Sequence, residues 1–228
     1  MKRIPGLEEL PIVVISLARM AARRERLQRQ LATLGLDAGV RWFEAIDGTT
    51  VADSEARRLL TPEAFGEWST RAVRAYRGSM TPGALGCALS WRRVLSGITR
   101  PTLVLEDDAV LCRNFPLRFG LATASLPSDW DLVYVGFNPY FRPVGTALDR
   151  FVTRVEAPLH GTCALLVDQR AAREIRGLFP LARQIDHDII DRLVVPGRLI
   201  AYQLSIDGYA LVQGDNLGGT TVQLADPA

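Results

Sequence analysis

Lysine is almost missing from this chain: Lys2 is the only one, so arginine supplies nearly all of its 27 basic residues. Against 25 acidic residues the formal net charge is only +2. A nucleic-acid binder needs a basic stripe, and none is present, so no nucleic-acid partner is expected. Arginine's planar fork suits bidentate phosphate contact better than a point charge does, although genomic base composition produces the same bias. Cysteine is scarce too. Cys87, Cys112 and Cys163 are odd in number, widely spaced and without a CxxC pair, which excludes a disulfide framework and a zinc cluster and leaves reduced, buried, structural thiols as the expectation. No stretch approaches the ~18 consecutive apolar residues of a membrane span. The basic start followed by the apolar run 11–17 is interrupted by Glu8, Glu9 and Pro11. That run is too short for a signal-peptide core and precedes no small-residue cleavage site, so a cytoplasmic protein is expected.

What is present describes a soluble globular protein: 228 residues, 48% hydrophobic and 23% charged. Without internal repeat, low-complexity segment or linker, a single domain spanning 1–228 is expected. Apolar strands alternate with helical patterns, the signature of an α/β domain with a largely parallel sheet. The run 11–17 reads as a strand, followed by an amphipathic helix from about Arg19 to Leu34 that stops at Gly35. A second strand, 40–46, ends in Asp47-Gly48, a carboxylate plus a turn-permissive residue. Residues 54–76 are polar and arginine-rich, read as helical pieces on the surface. Thr81-Pro82 opens a helix running to Gly97. Further strands are read at 131–137, 162–167 and 199–204, and the stretch 138–150 as an irregular loop over a site. Asp168 caps a helix to about Leu178, a second helix covers 186–194, and a polar tail ends the chain.

The most informative pattern is Glu106-Asp107-Asp108 at the end of the apolar run 102–105. A buried strand does not end in three carboxylates for stability, because adjacent like charges repel and their desolvation is costly. Something cationic should compensate them. On an extended backbone Glu106 and Asp108 share a face, while Asp107 points to the other. That pair offers hard oxygens suited to Mg2+ or Mn2+. A solvated acidic turn is the alternative.

The ordered set VISLARMAARRERL (14–27), FEAIDG (43–48), TPGALGCALSWRRVL (81–95), LVLEDDAVL (103–111) and HGTCALLV (160–167) resembles glycosyltransferase family 25 from about residue 11 to about residue 195. That family includes bacterial lipooligosaccharide galactosyltransferases and procollagen galactosyltransferases. The resemblance implies a GT-A type, Rossmann-like sheet flanked by helices. It also implies inverting transfer of a hexose, by family habit galactose, from a UDP-sugar. The acidic triplet occupies the place of the family's DxD motif, which makes Asp108 the first choice of metal ligand beside Glu106. Asp107 is then a second ligand or a ribose contact.

In open α/β sheets ligands bind beyond the carboxyl ends of strands, and Ser16, Leu17, Asp47 and the triplet all fall at such ends. Arg19, just after the first strand, is placed to reach a diphosphate. Arg23, Arg24, Arg26 and Arg29 read as a solvated face. An inverting transferase needs a base for the acceptor hydroxyl, and Asp186-His187-Asp188 is the candidate cluster, with Asp188 as base and Asp186 as base or helix cap. His160, with Thr162 beside it, reads as a substrate-binding position or as a loop hydrogen-bonder. Trp91 stands where family members usually carry histidine, and its indole either stacks on a sugar or fills the core.

Two other readings stay open: a non-catalytic relative that binds a nucleotide sugar or a partner, and a Mg2+-dependent phosphotransferase or phosphohydrolase. The lack of a GxxxxGK[ST] loop and of a DxDx[TV] motif disfavours the latter. The expected partners are a UDP-sugar donor and a glycan, lipid-linked or peptide acceptor. Arginine clusters are compatible with peripheral attachment to the inner membrane face. Oligomeric state is not readable from the chain.

Overall fold

The computed structural model describes residues 4, 6–71, 78–137, 145–206 and 209–214. Strand β1 (Ile12–Ser16) is buried along its whole length. Helix α1 (Ala21–Thr33) follows, and Gly35 ends its run at φ +69°, a conformation that glycine enters without the Cβ penalty of other residues. Next come β2 (Val40–Glu44), α2 (Asp53–Leu59), α3 (Pro62–Ser69) and α4 (Pro82–Leu95). The α4 helix starts where Thr81-Pro82 predicts, the Thr81 hydroxyl accepting the Ala84 N–H at 3.1 Å. The triplet strand β3 (Thr102–Glu106) leads into β4 (Ala109–Leu111), α5 (Phe115–Ala124), β5 (Leu132–Gly136), β6 (Gly145–Ala147), β7 (Val152–Val155) and β8 (Ala164–Val167). Helix α6 (Gln169–Arg176) is capped by Asp168, which accepts the Ala171 N–H at 2.7 Å. Helix α7 (Ile185–Ile189) continues as a π-helical turn, Ile190–Val194, before β9 (Ala201–Ile206), β10 (Tyr209–Ala210) and β11 (Val212–Gly214).

One sheet ties these elements together in the order β2-β1-β3-β8-β5-β9-β7-β6. Strands β2, β1 and β3 run parallel, and β5 and β9 share their direction. Strand β8 is inserted the other way, antiparallel to both β3 and β5, and β7 is reversed against β9. The result is a mixed sheet in which most strands point one way. Alternating strand residues feed two apolar layers. Val13, Ile15, Val104, Leu165 and Tyr134 face α4, α6 and α7. Val14, Leu103, Leu105, Leu166 and Val133 face α1 and α5. Leu27 and Leu31 of α1 are fully buried, each contributing about 2 kcal/mol. Among the described residues no helix is long and apolar enough to cross a membrane.

Backbone-to-backbone contact docks α4 beside the end of β2. A Cβ at Gly86 would lie 2.5 Å from the Gly48 nitrogen, and one at Gly48 would lie 1.7 Å from the Pro82 oxygen. The two glycines let helix and loop approach, and Ser90 Oγ accepts the Ile46 N–H at 2.8 Å across the same seam.

Several expectations change. Helix α7 begins at Ile185 after Gln184, which makes no side-chain cap, so Asp186 lies inside the first turn and is not the cap. The loop expected over 138–150 contains β6, which pairs with β7; residues 138–144 lie outside the described residues, as do 72–76 of the arginine-rich stretch. The polar tail carries β11, which pairs with both β4 and β5. Of the three free cysteines only Cys163 is buried; Cys87 and Cys112 are partly exposed.

Candidate functional site

Parallel pairing of β2, β1 and β3 brings their carboxyl ends to one edge of the sheet. Antiparallel β8 delivers its amino end there: Ala164 is in register with Leu105, and the Glu106 N–H donates to the Cys163 carbonyl at 2.9 Å. Sheet topology therefore joins the acidic triplet to the segment from His160 to Thr162.

The triplet splits into three environments. Glu106 is the last residue of β3, and its Oε1 accepts from the Trp91 indole at 2.8 Å and from the Thr162 hydroxyl at 2.6 Å. Burial pushes its carboxyl up, and those two hydrogen bonds partly offset the shift. Asp107 turns to the α1 side, as strand alternation predicts. Burial raises its carboxyl as well. The Ser16 hydroxyl and the Leu17 N–H donate to it, and Arg23 stands 3.6 Å away. Asp108 follows in the turn to β4. Its Oδ1 is buried and has no hydrogen-bond partner among the described residues. Burial and then the charge of Glu106 push its carboxyl up to about 7, against the opposing pull of Arg23 and Arg26. Gly214 of β11 adjoins it: a Cβ there would lie 4.0 Å from Asp108 Oδ2.

The expected Glu106–Asp108 metal pair is thus unequal. Glu106 has one oxygen committed to two donors, whereas Asp108 keeps a buried oxygen with no proton to accept. An anionic oxygen in that state fits a divalent cation, which would supply the missing compensation.

Trp91, expected to offer a face to a sugar or to fill the core, is wholly buried and supports Glu106 through its indole N–H. Arg23, expected on a solvated face, is buried beside Asp107. Its position directly after the first strand, in the same stretch as Arg19, was the signal that could have found it. Arg19 pairs with Asp47. Burial alone would raise the Asp47 carboxyl, but hydrogen bonds from the Thr49 hydroxyl and N–H, and the Arg19 charge, hold it below the usual range.

The second cluster forms where the 160–162 loop meets α7. Gly161, at φ +105°, donates its N–H to Asp186 Oδ2 at 3.0 Å, and Asp186 Oδ1 accepts the His187 N–H at 3.0 Å. The His160 and His187 rings stack with centroids 3.9 Å apart. Burial holds the His187 imidazole below its usual range, with neighbouring His160 adding to the shift and Asp186 opposing it. The charges of Asp186 and Glu106 raise Cys87, and Asp186 raises Tyr134, in both cases after burial. Carboxylate, imidazoles and triplet therefore share one electrostatic neighbourhood. Tyr134 was not foreseen; its hydroxyl is buried without a partner among the described residues, and nothing in the strand pattern 131–137 marks it. Asp188 does not join them. It is 1% exposed, its Oδ2 accepts the Ala182 N–H at 2.9 Å and Arg192 at 3.0 Å, and it braces the turn before α7.

Residues 9–132 match the profile described as Glycosyltransferase family 25 (LPS biosynthesis protein). The chain is 25% identical over 189 residues to the procollagen lysyl hydroxylase and glycosyltransferase of Acanthamoeba polyphaga mimivirus, which aligns 77% of this chain with 20% of that protein. It thus spans about a fifth of that relative's length. The crystal structure of mouse xyloside xylosyltransferase 1 in its apo form aligns with 96% of this chain and 89% of its own, at 12% identity and a TM-score of 0.42. Because the matching profile covers more than half of its residues, the chain belongs to glycosyltransferase family 25.

Proposed function

We propose that this chain transfers a hexose, galactose by the family's habit, from a UDP-sugar to a hydroxyl acceptor with inversion at the anomeric carbon. The observation that carries the reading is Asp108: a carboxylate at the strand-end crevice whose Oδ1 is buried and partnerless and whose carboxyl is pushed up to about 7. Asp108 would hold Mn2+ or Mg2+, with Glu106 as a fixed negative charge behind it. When bound, such an ion supplies positive charge to the diphosphate leaving group.

The remaining roles belong to the chain's own groups. Ser16 and Leu17 hold Asp107 at the ends of β1 and β3, and in this reading Asp107 contacts the donor's ribose. Arg19, oriented by Asp47, offers a cation near the donor's phosphates. Asp186, held by two backbone N–H groups, takes the proton of the acceptor hydroxyl. His160, Thr162 and His187 border the acceptor side. Acceptors consistent with this arrangement are lipooligosaccharide or other glycans, lipid-linked sugars and peptides, met in the cytoplasm or at the inner membrane face.

A thermal-shift titration with UDP, GDP, CMP and UDP-sugars, each with Mn2+ and with EDTA, tests the donor site. Ligand at ~100 times its dissociation constant adds about 2.7 kcal/mol and moves the melting point by a few degrees. A Mn2+-dependent shift confined to uridine nucleotides and lost in Asp108→Ala is expected. No shift with any nucleotide would sink the reading.

A further inference from the structure

His160, Asp186 and His187 each place one ligand atom so that all three lie within 4.8 Å of one another. Two nitrogens and one carboxylate oxygen make a different donor set from the oxygen atoms of the acidic triplet. Hard ions prefer the latter, whereas imidazole suits Zn2+, Co2+ and Ni2+. With bonds of about 2.0–2.1 Å, two ligands of one such ion stand roughly 3–4 Å apart, so the cluster needs only a small closure to accept it.

Three further features fit a built site. Asp186 is oriented by the Gly161 and His187 N–H groups, the kind of outer support that fixes a ligating carboxylate. His187 Nδ1 is buried and lacks a hydrogen-bond partner among the described residues. Gly78, at φ +80°, leaves room for that ring, since a Cβ there would stand 2.6 Å from His187 Nε2. All three residues lie beyond 132, outside the segment that matches the family profile. We infer that His160, Asp186 and His187 form a second divalent-cation site, selective for a borderline ion such as Zn2+ or Co2+ and distinct from Asp108. The inference does not depend on sugar transfer. If Asp186 is also the base, occupation of this site would remove that base.

The test is calorimetric titration of the metal-stripped chain with Zn2+, with Mg2+ as control. Binding of one equivalent in the micromolar range or tighter is expected, weakened at least tenfold in His160→Gln and in His187→Gln and unchanged in Asp108→Asn. Absence of Zn2+ binding by the wild type, or binding indifferent to both histidine substitutions, overturns the inference. Should either variant fail to fold, zinc-edge X-ray absorption on the loaded wild type decides. Two imidazoles in the first shell support the site, and a shell with sulfur from Cys87 or Cys163, or without imidazole, overturns it.

Discussion

The indole N–H of Trp91 meets Glu106 Oε1 at 2.8 Å, deep in the layer between α4 and the sheet. The bond keeps a half-buried carboxylate satisfied, so Trp91 acts on the site through Glu106. Trp91→Phe preserves most of the packing but deletes the donor, leaving Thr162 as the remaining hydroxyl partner at 2.6 Å. Urea unfolding should show a loss of about 1.5–3 kcal/mol, the usual range for one hydrogen bond to a charged group. An unchanged midpoint would mean that Glu106 does not need the indole.

Asp108 gives a pH signature. Its carboxyl is raised to about 7 from an ordinary 3.8, so between those values the folded chain keeps a proton that the unfolded chain releases. Stability contributed by this group therefore falls as pH rises across that window, and the penalty is complete above it. Asp108→Asn cannot ionise. In EDTA its melting point should rise progressively relative to the wild type from about pH 4 to pH 7 and level off above that. A difference flat with pH would refute the burial of an ionisable Asp108. With Mn2+ present the wild type should recover part of the gap.

Gly86 and Gly66 make a matched pair of helix glycines with opposite expectations. Gly86 abuts the backbone of Gly48, and an added Cβ would lie 2.5 Å from its nitrogen. Gly66, exposed on α3, has nothing within 4 Å. Gly66→Ala should stabilise by roughly 0.5–1 kcal/mol from helix propensity. Gly86→Ala should destabilise by a few kcal/mol as α4 is forced off the loop. Equal effects in thermal melts would contradict the close seam.

The α/β framework was legible because its signals are local. Burial of whole strands, the Thr81-Pro82 start, the Asp168 cap and the Gly35 stop each depend on a few adjacent residues. What escaped was settled at a distance. Strand alternation predicted the Asp107 direction, but β3 ends at Glu106 and the turn to β4 places Asp108. Strands β4, β6 and β11 are three residues long, too short to show a period. Thr162 meets Glu106 only because β8 is inserted antiparallel beside β3, and Trp91 because α4 packs on that face of the sheet; no spacing in the chain announces either. Arg23 looks like its exposed neighbours Arg24 and Arg29 until α1 packs it against Asp107.

Asp186 and Asp188 lie two residues apart and face different tasks. Asp188 is committed to the Ala182 N–H and to Arg192, and burial raises its carboxyl against those partners. Asp186 sits on the His160–His187 pair at the meeting of two segments. Asp188→Asn should cost about 1–3 kcal/mol in urea, with kcat for sugar transfer within a few-fold of wild type. Asp186→Asn should melt within a few degrees of wild type and lose at least about 100-fold in kcat, the lower range for a lost general base. Steady-state transfer assays at saturating donor separate the two. If Asp188→Asn abolishes turnover while Asp186→Asn does not, the base lies on the other side of α7, and the orientation of Asp186 by Gly161 serves structure alone.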